Sequence, residues 1–386
     1  MLKNVYLKRL LKNTVFKPLN LLNSILPKDE NTVMLYIATM GIRHNLKPVL
    51  DYMLENGYNK KYKIVCGIES LEYKGEDIEN VEYITTKKAM WRFLFTKHVF
   101  YSAGQIPIKP SKKQEVIHLT HGAVYYKSMG ALSNIHNGDE FYFSHMITTG
   151  EYFKSIVKKA YKCKDENVLV CNEPMTDVLF REDSKQYDFQ QYEKVILWLP
   201  TFRQSDLLGY DNSSLTETLL IFKEEDYGEL NAYLKQNRIK LIVKLHTAQN
   251  LDCYDATKYS NLSIYSNSDF IAEGYDLYTL LRQVDGLVGD YSSVSLQYLL
   301  MNKPMAFVIP DLEDYKQQRG FVFEEPLEFM PGNIVNTKEE FYEFLSQMVN
   351  NEDRYREKRE LVRDKIHKYK DGNACKRVLE MSGIRL

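Results

Sequence analysis

Residues 284–300 constrain the fold of this chain more than any other segment. They read VDGLVGDYSSVSLQYLL. An apolar run ends at Gly289 and Asp290, and two serines then precede apolar residues at helical spacing, which predicts a strand, a tight turn and a helix. Ser292 or Ser293 is expected at the N-cap. The first N–H groups of such a helix suit an anionic group such as a phosphate, whereas simple capping by Asp290 and the serines is the alternative.

Short β-rich runs alternate with helical patterns along the rest of the chain. Alternation of this kind predicts largely parallel sheets covered by helices on both faces. The β-rich runs are 33–40, 62–68, 81–85, 98–102, 115–119, 141–148 and 168–171 in the first half, and 195–200, 239–245 and 305–309 in the second. Helices are expected at 45–54, within 214–236, at 277–284 and in the charged tail at 338–367.

The length of 386 residues suggests two domains. A polar stretch at 181–192 resembles a linker, after which the strand pattern begins afresh. The sequence therefore predicts an α/β fold with two doubly wound Rossmann-like domains and a ligand cleft between them. The expected division is a leader at 1–30, an N-terminal domain at 31–185 and a C-terminal domain at 190–386.

The leader differs from the remainder in charge. Six basic residues and no acidic residue precede Asp29, although the whole chain has a net charge of -1. Lysines interrupt its apolar residues, so it fits neither a spanning helix nor a signal peptide. The segment is predicted to be a basic amphipathic one that contacts an anionic membrane surface, and a surface helix packed on the protein itself is the alternative.

Composition excludes some classes of function. The five cysteines are scattered without paired spacing, which argues for a reducing cytoplasm and against a structural zinc site. Outside the leader the chain is net acidic and has no basic stripe, which argues against nucleic-acid binding.

Basic or titratable residues follow three predicted strands. His121 and Gly122 come after the run 115–119, where a histidine suits a general base and a glycine permits close approach of a substrate. Arg203 follows the run 195–200 and matches phosphate oxygens in geometry, while Lys244 and His246 end the run 239–245. Structural histidines and surface ion pairs are the alternatives at each position.

An acidic segment follows the last predicted strand. Its residues 311–315 read DLEDY, and Arg319 comes soon after. The carboxylates could bind a divalent ion or ribose hydroxyls, or simply face solvent. Together with the three strand ends and the serine turn, the segment favours a transferase that acts on a phosphate-containing donor.

In this order the motifs resemble the CDP-glycerol glycerophosphotransferase family of teichoic acid and capsule synthesis. The matching motifs are HG at 121–122, PTFR at 200–203, KLH at 244–246, DYSS at 290–293, and DLEDY with RGF at 311–321. The resemblance implies a GT-B-type fold and peripheral attachment at the cytoplasmic face of the membrane. It also implies transfer of a polyol phosphate, by default glycerol phosphate, from a CDP-polyol to a hydroxyl of an undecaprenyl-linked or polymer acceptor, with release of CMP.

The resemblance also implies roles for individual residues. His121 is expected to be the general base on the acceptor hydroxyl, and His246 to contact the transferred phosphoryl group. No resident cofactor or metal ligand is assigned, and a divalent ion at Glu313 and Asp314 stays open. The expected donor-binding residues are Thr201, Arg203, Lys244, Asp290, Ser292, Ser293, Glu313 and Arg319, and the expected acceptor-side residues are Gly41, Gly122 and Lys127.

Two motifs depart from the family pattern. Around His121 the family often has a tryptophan before the histidine, where this chain has Thr120. The family turn Gly-x-Pro-Arg-x-Asp is Asn-Glu-Pro-Met-Thr-Asp at 172–177. Asn172 is therefore expected at positive φ, and Met175 cannot supply the charge of an arginine.

Two other functions fit the same fold. One is a GT-B glycosyltransferase that uses a nucleotide sugar, and the other is a non-catalytic, membrane-associated assembly partner. The sequence does not choose between glycerol and ribitol as the polyol. The length leaves no room for a large repeat domain, which favours a primase or an enzyme that makes short products.

Overall fold

The structure is a computed structural model in which residues 14, 16–122, 125–133, 140–182, 185–203, 219–246 and 258–386 are described. The chain forms two compact units, and neither is contiguous in sequence. The first comprises Met1–Ala123, Gly138–Asp177 and Asp371–Leu386, and the second comprises Val124–Asn137 and Val178–Lys370.

The first unit is built on a seven-stranded sheet with the order β3-β2-β1-β4-β5-β6-β7. Every strand pair in it is parallel. The strands are β1 Asp29–Tyr36, β2 Lys63–Ile68, β3 Val81–Thr85, β4 Thr96–Tyr101, β5 Glu115–His118, β6 His145–Thr148 and β7 Val168–Val170. The α-helices described in this unit are Lys17–Ile25, Leu46–Glu55, Thr86–Phe93, Glu151–Tyr161 and Ala374–Met381.

Both faces of this sheet are buried. Successive side chains of β1 point to opposite faces, so Val33 and Leu35 pack on one side and Met34 and Tyr36 on the other. The continuous apolar run that results is typical of a parallel strand covered by helices on both sides.

The second unit has a six-stranded parallel sheet with the order β10-β9-β8-β11-β12-β13. The strands are β8 Lys194–Trp198, β9 Ile239–Lys244, β10 Leu262–Tyr265, β11 Gly286–Gly289, β12 Met305–Val308 and β13 Asn333–Val335. The α-helices described here are Tyr227–Gln236, Asn267–Ala272, Leu277–Gln283, Ser293–Tyr298, Leu312–Gln318, Lys338–Val349 and Arg356–Ile366.

Strand order places a switch point in each sheet. In the second unit the switch point lies between β8 and β11. From β8 the chain adds β9 and β10 on one side, and from β11 it adds β12 and β13 on the other. Ligands of open α/β sheets bind beyond the carboxyl ends of strands at such points. In this unit those ends are the segments 199–203 and 290–293.

The predicted fold class, two parallel α/β domains, is confirmed, but the compact units differ from the predicted division at 31–185 and 190–386. The C-terminal segment belongs to the first unit because the Asp177 carboxylate accepts the N–H groups of Ala374 and Cys375, at 2.9 and 2.8 Å. These are the first N–H groups of helix Ala374–Met381, which have no partner within the helix.

Most of the basic leader, residues 1–13 and 15, lies outside the described residues. Its described end is the helix Lys17–Ile25, which exposes Leu21 and Ile25 and buries Asn23. Among the described residues, no helix is both long enough and apolar enough to span a bilayer.

Candidate functional site

The turn after β11 forms as its sequence predicts. Ser292 is the N-cap of helix Ser293–Tyr298, and its hydroxyl accepts the N–H of Val294 at 3.4 Å. Ser292 and Ser293 are half-buried, whereas Asp290 is 1% exposed. The serine hydroxyls therefore keep access to solvent, and the carboxylate of Asp290 points into the protein.

Asp290 binds the neighbouring strand end across the switch point. Its Oδ2 accepts the N–H of Thr201 at 2.9 Å and the Thr201 hydroxyl at 3.0 Å. The same oxygen accepts Nη1 of Arg203 at 2.8 Å. A single carboxylate thus joins the ends of β8 and β11, while its Oδ1 is buried without a hydrogen-bond partner among the described residues.

The Arg203 guanidinium is only 2% exposed. Nε donates to Asp311 Oδ2 at 2.6 Å and Nη2 to Asp311 Oδ1 at 3.2 Å, a bidentate ion pair. Burial alone would lower the pKa of Arg203, but the two carboxylates raise it above its ordinary value. Arg203 was predicted to hold the donor pyrophosphate directly, yet here its guanidinium joins three segments of the second unit.

Two tyrosine rings complete this buried cluster. The guanidinium carbon of Arg203 lies 5.1 Å from the Tyr291 ring centroid and 5.2 Å from that of Tyr315. The Tyr291 hydroxyl donates to Asp311 Oδ1 at 3.0 Å. Burial, and then the charge of Asp311, raise the pKa of Tyr291. Arg203 therefore stays charged and Tyr291 stays protonated at physiological pH.

Lys127, predicted on the acceptor side, belongs to the second unit. It pairs with Phe321 in an antiparallel bridge, and the Ser128 N–H donates to the Gly320 carbonyl at 3.0 Å. Arg319 strengthens this attachment, since its Nη1 donates to the Ser128 carbonyl at 2.8 Å. Arg319 was predicted to hold pyrophosphate, and in the structure it holds the segment that carries Lys127.

The Lys127 ammonium lies in a charged neighbourhood. Burial lowers its pKa to about 8, while Asp290 acts in the opposite direction and the cations Arg319 and Arg203 lower the pKa further. The side chain is half-buried, and Nζ lies 5.9 Å from the centroid of the Phe202 ring. Lys127 is thus a cation close to the switch point that keeps some solvent access.

His246 lies on the same aromatic ring. It is exposed, and its imidazole centroid is 5.0 Å from that of Phe202. Phe202 itself is 5% exposed. The end of β9 and the segment that pairs with Phe321 therefore bring His246 and Lys127 to one phenyl ring, a grouping that the sequence analysis did not predict.

The Lys244 side chain lies near a different aromatic ring. Its Nζ lies 5.5 Å from the centroid of the Phe270 ring, and burial lowers its pKa. Glu313 is exposed, and Asp314 accepts Nε2 of Gln318 at 2.8 Å. Over the described residues, no group of three or more histidine, cysteine, aspartate or glutamate side chains is placed to hold a metal ion.

The first unit carries the His121 turn at the carboxyl end of β5. Thr120 has φ 57, and its hydroxyl accepts the Gly122 N–H at 3.1 Å. His121 is exposed, whereas Gly122 is buried. The turn thus directs the imidazole outward from a strand end, as a general base requires.

Gly41, also predicted on the acceptor side, has a structural role. A Cβ at this position would lie 2.6 Å from the carbonyl oxygen of Tyr73, so the backbone could not pass there with a side chain. Gly41 follows β1 in the long segment that leads to helix Leu46–Glu55.

The turn at 172–177, which differs from the family pattern, adopts the backbone conformation that its sequence predicts. Asn172 has φ 71. Met175 is buried, and a cation reaches the turn from the C-terminal helix instead, because Nη1 of Arg377 donates to the Cys171 carbonyl at 2.9 Å. The other guanidinium nitrogen, Nη2, donates to Asp371, so Arg377 joins the start of this turn to the C-terminal segment.

Sequence reasoning missed Asp311, Phe202 and Tyr291 as partners of the predicted residues. All three stood inside the quoted motifs, and their positions near the charged residues were the available signal. Buried residues here have a structural role, whereas residues that face a ligand are exposed. Whether a residue is buried depends on contacts between strand ends that lie far apart in sequence.

The fold and the site together define a class of protein: a GT-B-like α/β protein with two parallel sheets and a basic, hydroxyl-bearing switch point in the second unit. The chain belongs to the CDP-Glycerol:Poly(glycerophosphate) glycerophosphotransferase family, whose model matches residues 19–381.

Relatives of known name support the family. The chain is 32% identical over 243 residues to the teichoic acid glycerol-phosphate primase of Bacillus subtilis (strain 168), covering 61% of this chain and 56% of that protein. It is 31% identical over 287 residues to the teichoic acid ribitol-phosphate polymerase TarL of Staphylococcus aureus (strain NCTC 8325 / PS 47), covering 69% and 47%. The chain thus spans about half the length of these relatives.

The fold also matches a solved structure. The wall teichoic acid polymerase TagF aligns with a TM-score of 0.73 and 18% identity, over 98% of this chain and 96% of that one. At this identity the match supports the fold, and the residue roles depend on the geometry described above.

Proposed function

We propose that this protein transfers a polyol phosphate from a CDP-polyol to an acceptor hydroxyl and releases CMP. The grouping of Lys127, His246 and the Asp290 turn around one switch point carries the proposal, in a chain of this family. Cations and hydroxyls of this kind suit a pyrophosphate. Phosphoryl transfer depends mainly on positioning and charge neutralisation rather than on a covalent nucleophile.

The proposed step uses one base. The oxygen of the acceptor hydroxyl attacks the phosphorus that carries the polyol, and its proton passes to the imidazole of His121. The bond from that phosphorus to the bridging oxygen breaks, and CMP leaves with this oxygen and the electron pair. His246, Lys127, Ser292 and Ser293 bind the phosphate oxygens of the donor in this proposal.

Arg203, Thr201 and Asp290 have a positioning role in the same proposal. Because their polar groups bind each other, they hold the two strand ends rather than the donor. Arg319 likewise positions Lys127 through the Ser128 carbonyl. In this proposal the predicted donor-binding residues therefore form two groups. One group binds phosphate, and the other orients the phosphate-binding residues.

Replacement of Lys127 by methionine is expected to raise the KM for the CDP-polyol about tenfold or more, because a charge-assisted hydrogen bond is lost. In the wild type the ammonium is charged below its pKa of about 8, so donor affinity should fall as pH rises through that value. The Lys127→Met variant should lack this fall. Steady-state kinetics between pH 6 and pH 9.5 measure both effects.

Two variants serve as controls for Lys127. Lys127→Arg keeps its charge above pH 8 and should shift the loss of affinity to higher pH. Lys316→Met removes an exposed lysine from the same unit and should change nothing. An unchanged donor KM in Lys127→Met would show that Lys127 does not bind phosphate.

The activity itself is tested by CMP release. The purified chain, given CDP-glycerol or CDP-ribitol with a lipid-linked acceptor, is expected to release CMP and to add polyol phosphate units that mass spectrometry counts. The products report donor identity and chain length together. No CMP release from either donor, combined with a rise in melting temperature from a nucleotide sugar, would favour the glycosyltransferase alternative.

The CMP-release assay also tests whether the protein binds its acceptor at a membrane surface. The described end of the leader exposes Leu21 and Ile25, and the first unit also exposes Trp91 and Phe95. These apolar side chains and the basic residues of the leader support contact with anionic lipid. Turnover should be faster with the acceptor in anionic vesicles than in neutral ones, and equal rates would argue against membrane attachment.

A further inference from the structure

A second imidazole lies beside His121 in the first unit. The ring centroids of His44 and His121 are 6.3 Å apart, with an angle of 63° between the ring planes. Both side chains are exposed to solvent. His44 comes from the segment between β1 and helix Leu46–Glu55, whereas His121 comes from the turn after β5, so two different connecting segments contribute one histidine each.

A buried amide fixes the two turns to each other. Asn45 is fully buried, and its Nδ2 donates to the Leu119 carbonyl at 2.8 Å and to the Thr120 carbonyl at 3.4 Å. Its Oδ1 accepts the N–H of Met175 at 2.9 Å. Because Asn45 directly follows His44, and Leu119 and Thr120 are the two residues before His121, these contacts hold the backbones of the two histidines close together.

Both turns contain unfavourable backbone angles. His44 has φ 54 and Thr120 has φ 57, and neither is a glycine. A β-branched residue in the left-handed region is a rare conformation, with a cost of about 1–3 kcal/mol. Such conformations persist where the surrounding structure enforces them, and they concentrate at functional sites.

Burial, and then the charges of neighbouring residues, favour the neutral form of His44. Its side chain is densely surrounded by protein although it retains solvent access, and burial lowers its pKa to about 4, with further lowering by His121 and Arg43. His118, which interacts with His121, has a pKa lowered to about 3, chiefly by burial. At neutral pH His44 therefore has one N–H donor and one nitrogen acceptor.

We propose that His44 is a further residue of the acceptor site, which hydrogen-bonds an oxygen of the acceptor and so orients the attacking hydroxyl toward His121. This proposal rests on the proposed function of His121. A neutral ring suits the task, because a cation at this position would oppose the positive charge that His121 gains when it takes the proton. A polyol or sugar acceptor carries a second oxygen close to its reacting hydroxyl for this bond.

Kinetics on His44 variants test the proposal. His44→Ala is expected to raise the KM for the acceptor about tenfold and to leave the KM for the CDP-polyol unchanged. His44→Gln, whose amide keeps a donor and an acceptor, should recover part of this loss. An unchanged acceptor KM in His44→Ala, or an equal rise in the KM of both substrates, would overturn the proposal.

A measurement without turnover separates this proposal from the proposed function. Histidine ring signals followed by NMR should show His44 titrating well below the usual pKa near 6.5. In His121→Gln the His44 titration should move to higher pH, because the second imidazolium is gone. If the two rings titrate independently, the pairing is wrong even if the enzyme is active. If they are coupled but the wild type releases no CMP, the proposed function is wrong instead.

Discussion

Replacement of His121 by alanine is expected to reduce CMP release by about 10²- to 10⁴-fold, the usual contribution of a positioned general base. Without the imidazole, the proton of the acceptor hydroxyl loses its proposed acceptor. Because His121 is exposed, the variant should unfold at the same temperature as the wild type. Initial rates of CMP release at saturating donor, with a melting curve for each protein, make the comparison.

A matched histidine provides the control. His145 begins β6 in the same unit, at the amino ends of the strands rather than at the carboxyl ends, and its ring lies 3.0 Å from Glu115. His145→Ala should retain activity. Donor binding should survive in His121→Ala, since the proposed phosphate ligands belong to the second unit. A His121→Ala enzyme with wild-type rates would remove His121 from the mechanism.

Replacement of Arg203 by methionine is expected to destabilise the second unit by about 3–5 kcal/mol. Asp290 and Asp311, which are 1% and 6% exposed, would lose their shared cation and remain buried. Trp198 is fully buried at the end of β8 and Trp91 is exposed in the first unit, so a Trp91→Phe background makes fluorescence specific for the second unit. Urea unfolding followed by this signal measures the change.

Two controls separate the buried network from an ordinary surface ion pair. Arg354→Met removes an arginine whose side chain is 58% exposed and which pairs with Glu343, so it should cost less than about 1 kcal/mol. Arg203→Lys keeps the charge but not the bidentate geometry, so an intermediate loss is expected. If Arg203→Met unfolds at the wild-type urea concentration, the network does not hold the strand ends together.

The sequence predicted the sheets well because buried parallel strands are continuous apolar runs. The run at 81–85 is β3 with the same bounds, and 239–245 and 305–309 exceed β9 and β12 by one residue. The run at 33–40 was placed too late, because β1 ends at Tyr36 and Met40 has φ 57. Of the helical pattern within 214–236, the helix Tyr227–Gln236 is described, and 204–218 lie outside the described residues.

Turns were also predictable where a single residue determines them. Ser292 caps its helix, and Asn172 adopts positive φ. The sequence analysis did not predict β10, β13 or the helix Leu312–Gln318. Strands of three or four residues show only a weak hydrophobic periodicity, and so does a helix that begins with acidic residues.

The sequence by itself determined which residue types stand at the strand ends and in what order, because alternating apolar runs and turn residues act locally. Only the tertiary structure decided what these residues contact. Arg203 was expected to face a ligand and is buried between Asp290 and Asp311, 87 and 108 residues away in sequence. Lys127 was expected on the acceptor side and joins the second unit through Phe321. These outcomes depend on burial and on long-range hydrogen bonds, which no local pattern encodes.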